Sequence, residues 1–429
     1  MSYHRPTFTV FADNSPALPG ATVTFTSTAS DVDVVSVADT VRLKVCSTNS
    51  FATSTDTCTA VTLASSTLSA SNPSATYVVP IPTQDQNYGA FGFVYDNHGH
   101  EATGGTQGTN SVLTVSNATP SVSAAQITLN NGTNMTLAVE AGQTTGYRIQ
   151  YVATDNNSCQ NASAGNEITR NIISVYRSGI GSSSCQVSGN YNANNCYPSR
   201  VATSTWNLSC TASSTSCSGA ADTTQIWDCT FPLWYIADPT DGTATSTQYS
   251  AQNWRAAVSA IDDNSATSSF TQSSIGQEVV SFLAMALNTF AIPYGSLEPG
   301  QKTDPIVATT TVKATGNVGL DQLLTGKSMC TNFTNAVSCR NSATSTIAES
   351  NQVFGTSSVS YGTATATGRT LSSTTQKELE LNVKKSTTTS VQATGRTYWG
   401  INVPASITLA GSYTGNNTFF AKVGESAFW

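Results

Sequence analysis

The stretch VTFTSTASDVD (residues 23–33) decides the fold, because small or apolar side chains alternate with hydroxyl side chains until the run ends in Asp. The pattern returns as GYRIQYVATDNNS (residues 146–158) and, in a shorter form, as VSAIDDNSA (residues 258–266). A period of two residues is typical of a β-strand with one buried face. The repeat therefore predicts related strands, each ending in a loop that begins with acidic or Asn residues.

The composition favours an all-β protein. A chain of 429 residues is too long for one hydrophobic core and indicates two to four domains. Only 10% of the residues are charged, and β-branched Thr and Val with Gly, Asn and Pro punctuation replace helix-forming runs. The net charge of −7 argues against nucleic-acid binding, and the scarcity of Lys in the first two-thirds argues against docking on an anionic membrane.

The flanking segments repeat in the same order as the central pattern. TFTVFA (7–12) and SAAQITL (123–129) precede the first two copies, and DTVRLKVC (39–46) and RNIISVYR (170–177) follow them. Each unit then closes with a late strand ending in Asp and Asn and with one final strand, which we expect in SVLTVSN (111–117) and EVVSFLA (278–284). Order, spacing and chemistry agree, so the sequence predicts two β-sandwiches of related design.

A third unit begins near residue 284. VATTTVKATGNVGL (307–320) has the same strand pattern, with Gly316 and Asn317 where the acid stands in the other units. Alternating strands continue to the end of the sequence with turn residues between them. We expect domain boundaries at residues 1–118, 119–283 and 284–429, with the first joint near Pro120.

The ten cysteines form an even, locally grouped set that indicates disulfides and an oxidising compartment. Absence of a C-x-x-C pair and a total of three histidines argue against a zinc site. Cys46 with Cys58 and Cys330 with Cys339 are the expected pairs, because each pair is isolated in its region. Six central cysteines leave fifteen connectivities open: Cys159, Cys185, Cys196, Cys210, Cys217 and Cys229.

The first ten residues, MSYHRPTFTV, lack the apolar region of a signal peptide, and no window is long and apolar enough to span a membrane. For a chain with disulfides, we expect that such a peptide has been removed or that the numbering begins after it. Attachment to a surface would then be non-covalent or would occur through an assembly.

The segments TFTSTASDVD (24–33) and FVYDNHG (93–99) resemble immunoglobulin-like and PKD-type domains of bacterial surface proteins. TGNVGLDQLLTG (315–326) and GSYTGNNTFF (411–420) are similar to C-terminal Ig-like modules of secreted microbial surface proteins. The resemblance implies three tandem Ig-like β-sandwiches, the second enlarged by a cysteine-rich insertion. It also implies a role in surface layers, stalks, filaments or adhesion rather than catalysis. The insertion and the missing acid of the third unit depart from the family pattern.

The acidic strand ends are candidate calcium ligands. In an Ig-like sandwich, the loop after the second strand and the loop before the last strand lie at one pole, where several oxygen donors would meet. The first strand starts at this pole, so the acids of the second sandwich should face the first sandwich and a bound Ca²⁺ would stiffen that joint. The alternative is that Asp and Asn only cap turns. The candidate ligands are Asp155, Asn156, Asp262, Asp263 and Asn264, with Asp31, Asp33 and Asp96 in the first unit.

Other motifs give weaker signals for chemistry. Trp227, Trp234 and Trp254 could stack on sugars, although large aromatic side chains beside a cysteine favour a core position. His98 and His100 stand beside acids, but two histidines in one turn-rich loop without distant partners favour a solvated loop over a metal or acid/base site. Nucleophile-elbow, metalloprotease and phosphate-loop motifs are absent from the sequence, so we expect no enzymatic activity. Tentative glycosylation sequons occur at Asn117, Asn131, Asn134, Asn156, Asn161, Asn207, Asn332 and Asn416.

The sequence thus leads to two functional hypotheses. The first is an extracellular structural protein that self-associates into part of a cell-surface layer or filament. The alternative is an adhesin that binds carbohydrate or another cell surface through the second domain. Ca²⁺ is the expected cofactor of the structural role, and a glycan is the expected partner of the alternative.

Overall fold

The computed structural model describes residues 4–32, 39–163, 165–186, 188–199, 206–242, 248–334, 339, 342, 344–425, 427 and 429. In these residues the protein is almost entirely β, and neighbouring strands of each sheet run antiparallel. The sheets fall into three groups along the chain, and no strand of one group pairs with a strand of another among the described residues. In each group two sheets share a buried core, so the prediction of an all-β protein built from sandwiches is confirmed.

The first sandwich places a three-stranded sheet, ordered β1-β2-β7, against a four-stranded sheet, ordered β10-β9-β3-β6. Val23, Phe25 and Ala29 point from β2 into a core that also contains Leu43 and Val94 of the opposite sheet, as the alternating pattern predicts. Short pairs β4-β5 and β8-β11 complete the unit. Its strands are β1 (Thr7–Asp13), β2 (Thr22–Ser30), β3 (Val41–Cys46), β4 (Phe51–Ala52), β5 (Thr57–Cys58), β6 (Thr62–Ser65), β7 (Ser74–Val78), β8 (Asn87–Tyr88), β9 (Phe91–Asp96), β10 (Thr109–Asn110) and β11 (Leu113–Thr114).

The second sandwich pairs a sheet ordered β12-β14-β18-β17, with β13 beside β14, and a sheet ordered β16-β15-β19-β20. Its core joins Ile149 and Tyr151 to Phe231 and Trp254, all at most 1% exposed. Its elements are β12 (Ser121–Val122), β13 (Thr128–Leu129), β14 (Gln143–Thr154), β15 (Ile168–Arg177), α1 (Ser182–Cys185), β16 (Cys196–Pro198), β17 (Ser209–Ala212), β18 (Thr224–Trp234), β19 (Trp254–Asp262) and β20 (Thr271–Gln272).

The third sandwich pairs a sheet ordered β21-β22-β28-β26 with a sheet ordered β27-β23-β29. Trp399 is fully buried and contacts the rings of Phe354 and Phe419. Its elements are β21 (Met285–Leu287), β22 (Ala308–Ala314), β23 (Leu320–Gly326), β24 (Met329–Cys330), β25 (Thr346–Ile347), β26 (Gln352–Gly355), α2 (Tyr361–Ala366), β27 (Lys377–Val383), β28 (Thr394–Ile401) and β29 (Asn417–Val423). Single 3-10 turns lie at Thr53–Thr55, Ala124–Gln126, Asn130–Gly132, Ser188–Asn190 and Glu349–Asn351.

All ten cysteines form disulfides. The two expected pairs, Cys46–Cys58 and Cys330–Cys339, are confirmed. The remaining connectivity is Cys159–Cys217, Cys185–Cys196 and Cys210–Cys229. Cys229 lies in the core strand β18 rather than in an insertion, so the Cys210–Cys229 bridge ties the extra strand β17 to the central sheet.

Three predicted strands are shorter than their patterns suggested, and residues 111–117 form only the two-residue strand β11. Residues 123–129 are interrupted by the turn Ala124–Gln126, which leaves only β13 paired. Residues 278–284 form a single bridge, between Val279 and Met135. Backbone N–H groups of the latter segment are bonded instead to side chains, that of Ser281 to Asp241 and that of Phe282 to Asn317. The segment therefore contributes to the contact between the second and third sandwiches.

Among the described residues, no helix is long and apolar enough to cross a membrane.

Candidate functional site

The first joint, between the first and second sandwiches, is closed by one buried side chain. Asn157 is 0% exposed, and its Nδ2 donates to the carbonyl oxygens of Thr83 at 3.0 Å and Ser116 at 3.1 Å. Its Oδ1 accepts a hydrogen bond from the backbone N–H of Ala118. One amide therefore satisfies three backbone groups of the preceding sandwich and its linker, which would otherwise be left without partners in a buried region.

The second joint, between the second and third sandwiches, repeats this arrangement. Asn317 is also 0% exposed, and its Nδ2 donates to Ala237 at 3.0 Å and Val280 at 3.2 Å. Its Oδ1 accepts from the N–H of Phe282 at 2.6 Å. In both joints the linker groups are a carbonyl and the N–H two residues later. We call this shared arrangement the Asn clamp.

The Asn clamp aligns the two strand ends. Asn157 lies three residues after the end of β14, and Asn317 lies three residues after the end of β22. Gly316 therefore corresponds to Asn156, and Thr315 corresponds to Asp155. A Cβ atom at Gly316 would lie 2.0 Å from the carbonyl oxygen of Phe282 and 2.8 Å from the backbone N of Ala284. The linker backbone therefore packs directly on this residue, and no side chain fits. At the first joint the equivalent residue is Asn156, whose side chain is exposed.

Five carboxylates gather at the first joint. Asp155, Glu167 and Asp262 are each 1% exposed, whereas Asp263 is exposed and Asp85 is half-buried. Asp85 belongs to the loop after β7 of the first sandwich, and the other four belong to the second sandwich. We call these five residues the joint acids. The structure thus places Asp155 and Asp262 against the first sandwich, in agreement with the topological argument.

The hydrogen bonds of the joint acids leave oxygens unused. Asp155 Oδ1 accepts from the N–H of Asn157 at 2.8 Å, and Asp262 accepts from Asn117 Nδ2 at 2.9 Å across the joint. Asp85 accepts from the Asn264 amide across the same joint. Asp155 Oδ2, Glu167 Oε1 and Asn117 Oδ1 are buried and have no hydrogen-bond partner among the described residues. None of the ion pairs between described residues involves a joint acid.

Burial and mutual repulsion raise the pKa values of three joint acids. Desolvation, followed by repulsion from Asp262 and Asp85, raises the pKa of Asp155 to about 7. Desolvation, followed by repulsion from Asp263 and Asp155, raises the pKa of Glu167 to about 8. The pKa of Asp85 is also raised, first by desolvation. Uncompensated charge in a dry site is the cause in each case.

We expect the cation-free protein to lose stability as the pH rises. Asp155 and Glu167 keep protons in the folded state up to about pH 7 to 8, whereas the unfolded chain releases them near pH 4. The folded state therefore binds more protons between these limits, and the free energy of unfolding falls across that window. Denaturant unfolding in a chelating buffer at several pH values measures how the free energy of unfolding changes with pH. The double variant Asp155→Asn/Glu167→Gln should lose most of this pH dependence. An equal pH dependence in the variant would contradict the assignment of these protons to Asp155 and Glu167.

At the second joint, a buried lysine side chain supplies the positive charge. Asp238 lies in the loop after β18, which corresponds to the loop that holds Asp85. Lys385 of the third sandwich places Nζ 3.0 Å from Asp238 Oδ1, and Arg177 places Nε 3.0 Å from Oδ2, with all three side chains at most 7% exposed. Lys385 Nζ also lies 2.6 Å from Asn194 Oδ1 and 2.6 Å from the carbonyl oxygen of Ile236. The charge is therefore paired and its donors are used.

The other predicted metal ligands do not join this site. Asp96 accepts from the N–H groups of His98 and His100 at 2.8 Å and contacts the His100 ring at 2.9 Å, so it orders a turn at the far pole of the first sandwich. Asp31 lies at that pole too, after β2. Asp33 falls outside the described residues. The side chain of Asn156 is exposed, and only its carbonyl oxygen faces the joint, 3.4 Å from the N of Thr83.

A different acidic group lies in the third sandwich. The carboxylate oxygens of Asp321, Glu378 and Glu380 lie within 4.8 Å of one another. Asp321 is 0% exposed, whereas the two glutamates are exposed and Glu378 is paired with Lys422. No sequence pattern predicts this group, because its members come from neighbouring strands whose register the alternation does not define.

The aromatic and Asn motifs are placed as follows. Trp227 and Trp254 are buried in the second core, which removes these tryptophans from any sugar-stacking surface. Two sequon residues, Asn117 and Asn161, are only partly exposed and donate their amides to Asp262 and Asp263. The other six sequon side chains are exposed, namely Asn131, Asn134, Asn156, Asn207, Asn332 and Asn416. Glycosylation stays a prediction.

Sequence reasoning missed four contributors to the joints: the Asn clamp, Glu167, Asp85 and the Lys385–Asp238 pair. One signal was available, because ATDNN (153–157) and ATGN (314–317) both continue into an Asn after the strand end. The remaining four residues belong to loops, and nothing in their local sequence indicates that they reach a neighbouring sandwich.

Comparison with known proteins adds little to this picture. No protein-family model matches the chain, and no curated protein matches it. Among solved structures, the fibronectin(III)-like modules of CbhA from Clostridium thermocellum match at 12% identity and a TM-score of 0.17, over 63% of this chain and 95% of that chain. A TM-score this low carries no argument about function. The fold class rests on the sheets described above.

Proposed function

We propose that the protein is a non-catalytic, extracellular structural subunit that self-associates into part of a cell-surface layer or filament. The observation that carries the proposal is that both joints are closed by the same buried Asn clamp. Tandem sandwiches ordinarily share small polar interfaces and move against one another. Here each joint uses the backbone of the linker itself, so three sandwiches act as one stiff unit.

The chemistry of the chain suits an exposed scaffold. Each of the three sandwiches contains at least one of the five disulfides. Cross-links of this kind are typical of proteins outside reducing compartments. Each bridge stabilises mainly by restricting the unfolded chain. A scaffold that stands outside the cell needs this resistance, because unfolded chains there are lost to proteolysis.

The third sandwich offers a surface for contact between copies. Phe290 is 91% exposed, on the segment that leads from β21 to β22. Phe290 lines an open pocket of about 430 Å³, and the same segment continues along an open groove of about 840 Å³ with mixed polar and apolar lining. Its apolar lining includes Ile292, Tyr294, Leu297, Ile401, Ile407 and Tyr413. Exposed apolar surface of this kind marks contact sites in soluble proteins. We place the contact between one copy and the next here.

Replacement of Phe290 by Asp tests the contact. At concentrations where the parent chain forms fibres or sheets under negative-stain microscopy, F290D should stay monomeric by analytical ultracentrifugation, because a charge buried in an apolar contact is costly. The matched control is Ile275→Asp on the second sandwich, a residue 69% exposed and away from the groove, which should assemble normally. Both variants should melt like the parent chain.

Monomers of the parent chain at every concentration, with and without Ca²⁺, would overturn the structural role. If those monomers instead bound a glycan array, the adhesin alternative would replace it. Equal assembly of F290D and the parent chain would leave the role intact and remove this contact surface.

A further inference from the structure

The two joints differ in how their charge is balanced. At the second joint, the acid on the loop of the preceding sandwich, Asp238, is met by Lys385 from the following sandwich. At the first joint, the acid on the corresponding loop, Asp85, is met by the neutral amide of Asn264 and by no cationic side chain among the described residues. Carboxylates buried to 1% exposure are rarely left without a cation or a full set of donors. The first joint has neither among the described residues, since Asp155 Oδ2 and Glu167 Oε1 accept no hydrogen bond.

We propose that Ca²⁺ binds at the first joint and links Asp85 of the first sandwich to Asp155, Glu167 and Asp262 of the second. The ion takes the place that Lys385 occupies at the second joint. This inference is independent of the assembly proposed above, because it concerns the joint within a single chain. It also changes the ligand set expected from sequence, by adding Asp85 and Glu167 and by leaving out the exposed side chains of Asn156, Asp263 and Asn264.

The donor set selects Ca²⁺ among common cations. The side chains that meet here are carboxylates and amides, so every available ligand atom is a hard oxygen. Ca²⁺ accepts six to eight such oxygens in flexible geometry, whereas Mg²⁺ requires near-ideal octahedra and keeps several waters. Zinc and copper favour the nitrogen and sulfur ligands that this joint lacks among its described residues.

The joint acids are spaced more widely than the acidic group of the third sandwich. Among the described residues, the oxygens of Asp321, Glu378 and Glu380 form the compact group within 4.8 Å. Like-charged carboxylates repel one another. Binding of Ca²⁺ would draw the carboxylates of the four proposed ligands together, with the buried oxygen of Asn117 and water completing the coordination sphere.

Calcium titration of the full chain tests the inference. After treatment with a chelator, isothermal titration calorimetry with CaCl₂ should show binding, and the melting temperature should rise with Ca²⁺. The variant Asp155→Asn/Glu167→Gln keeps side-chain size, yet should lose Ca²⁺ affinity by at least about 10- to 100-fold, since even outer partners of metal ligands cost this much. Above about pH 8, where both acids of the parent chain are charged, the melting temperature of the variant without Ca²⁺ should exceed that of the parent chain.

A control variant distinguishes the joint acids from the acidic group of the third sandwich. Glu380→Gln alters the group in the third sandwich and should leave both the calcium heat and the melting shift in place. Amide hydrogen exchange adds a local readout: Ca²⁺ should slow exchange in residues 83–86 and 116–118 of the parent chain and not of the double variant. Absence of any calcium heat, unchanged binding in D155N/E167Q, or loss of binding in E380Q alone would each overturn the inference.

Discussion

Replacing Lys385 by Met should lower the free energy of unfolding by about 3 to 5 kcal/mol, the usual cost of removing one partner from a buried ion pair. Met keeps the volume of the Lys stem, so the loss of stability would come from the removed charge rather than from a cavity. Asp238 would retain Arg177 alone, and Asn194 Oδ1 and the carbonyl oxygen of Ile236 would each lose a donor. Because Lys385 belongs to the third sandwich and its partners to the second, the loss should loosen that joint.

Denaturant unfolding monitored by tryptophan fluorescence measures the effect. A chain of several sandwiches need not unfold in one step, so we expect K385M to shift the transition of the second and third units toward lower denaturant. Hydrogen exchange should rise at residues 386–388, where Thr387 and Thr388 accept bonds from Asn194 and Tyr235.

The matched control is Lys302→Met. Lys302 pairs with Asp304 on the surface of the third sandwich, where the two side chains are 47% and 38% exposed. Exposed pairs of this kind contribute at most about 1 kcal/mol. If K385M and K302M lowered the free energy of unfolding by the same amount, the ion pair between Lys385 and Asp238 would not stabilise the second joint.

Local pattern predicted the parts of the fold that depend on neighbouring residues. Val23, Phe25 and Ala29 face the core because side chains alternate along a strand, and β14 and β22 follow the same rule. Cys46–Cys58 was predictable because few cysteines lie near it, whereas the central six pair by three-dimensional proximity alone. The sequence pattern of residues 278–284 predicts a strand, because alternation does not reveal that the N–H of Phe282 bonds to Asn317 and that of Ser281 to Asp241.

The candidate site was predictable only in part, for a similar reason. In the second sandwich, the end of β14 lies beside the start of β12, the strand that follows the linker. Asp155 therefore faces the preceding sandwich whatever the sequence of the loop. Asp85 and Glu167 reach the joint through loops, whose paths depend on packing rather than on period. Lys385 and Asp238 lie far apart in sequence, and each in isolation reads as an ordinary surface charge.

Removing the Cys159–Cys217 disulfide should destabilise the second sandwich and open the first joint. The bridge closes a loop with a sequence separation of 58, for which restriction of the unfolded chain predicts about 4 kcal/mol. Cys159 follows the Asn clamp by two residues, and its backbone bonds to Asp222 and Glu167 fix the turn that carries the joint acids. Substitution of both cysteines by Ser should therefore weaken the clamp as well as the sandwich.

The comparison bridge is Cys185–Cys196, with a sequence separation of 11 and a predicted loss of about 3 kcal/mol. It lies in a separate cluster with Tyr176 and Ala257, away from the joint. Both double-Ser variants should unfold at lower denaturant, but only C159S/C217S should speed hydrogen exchange at residues 116–118 and lower the affinity for Ca²⁺. Equal exchange at the joint in the two variants would show that the clamp holds without the disulfide, and stiffness of the joint would then depend on Asn157 and the joint acids alone.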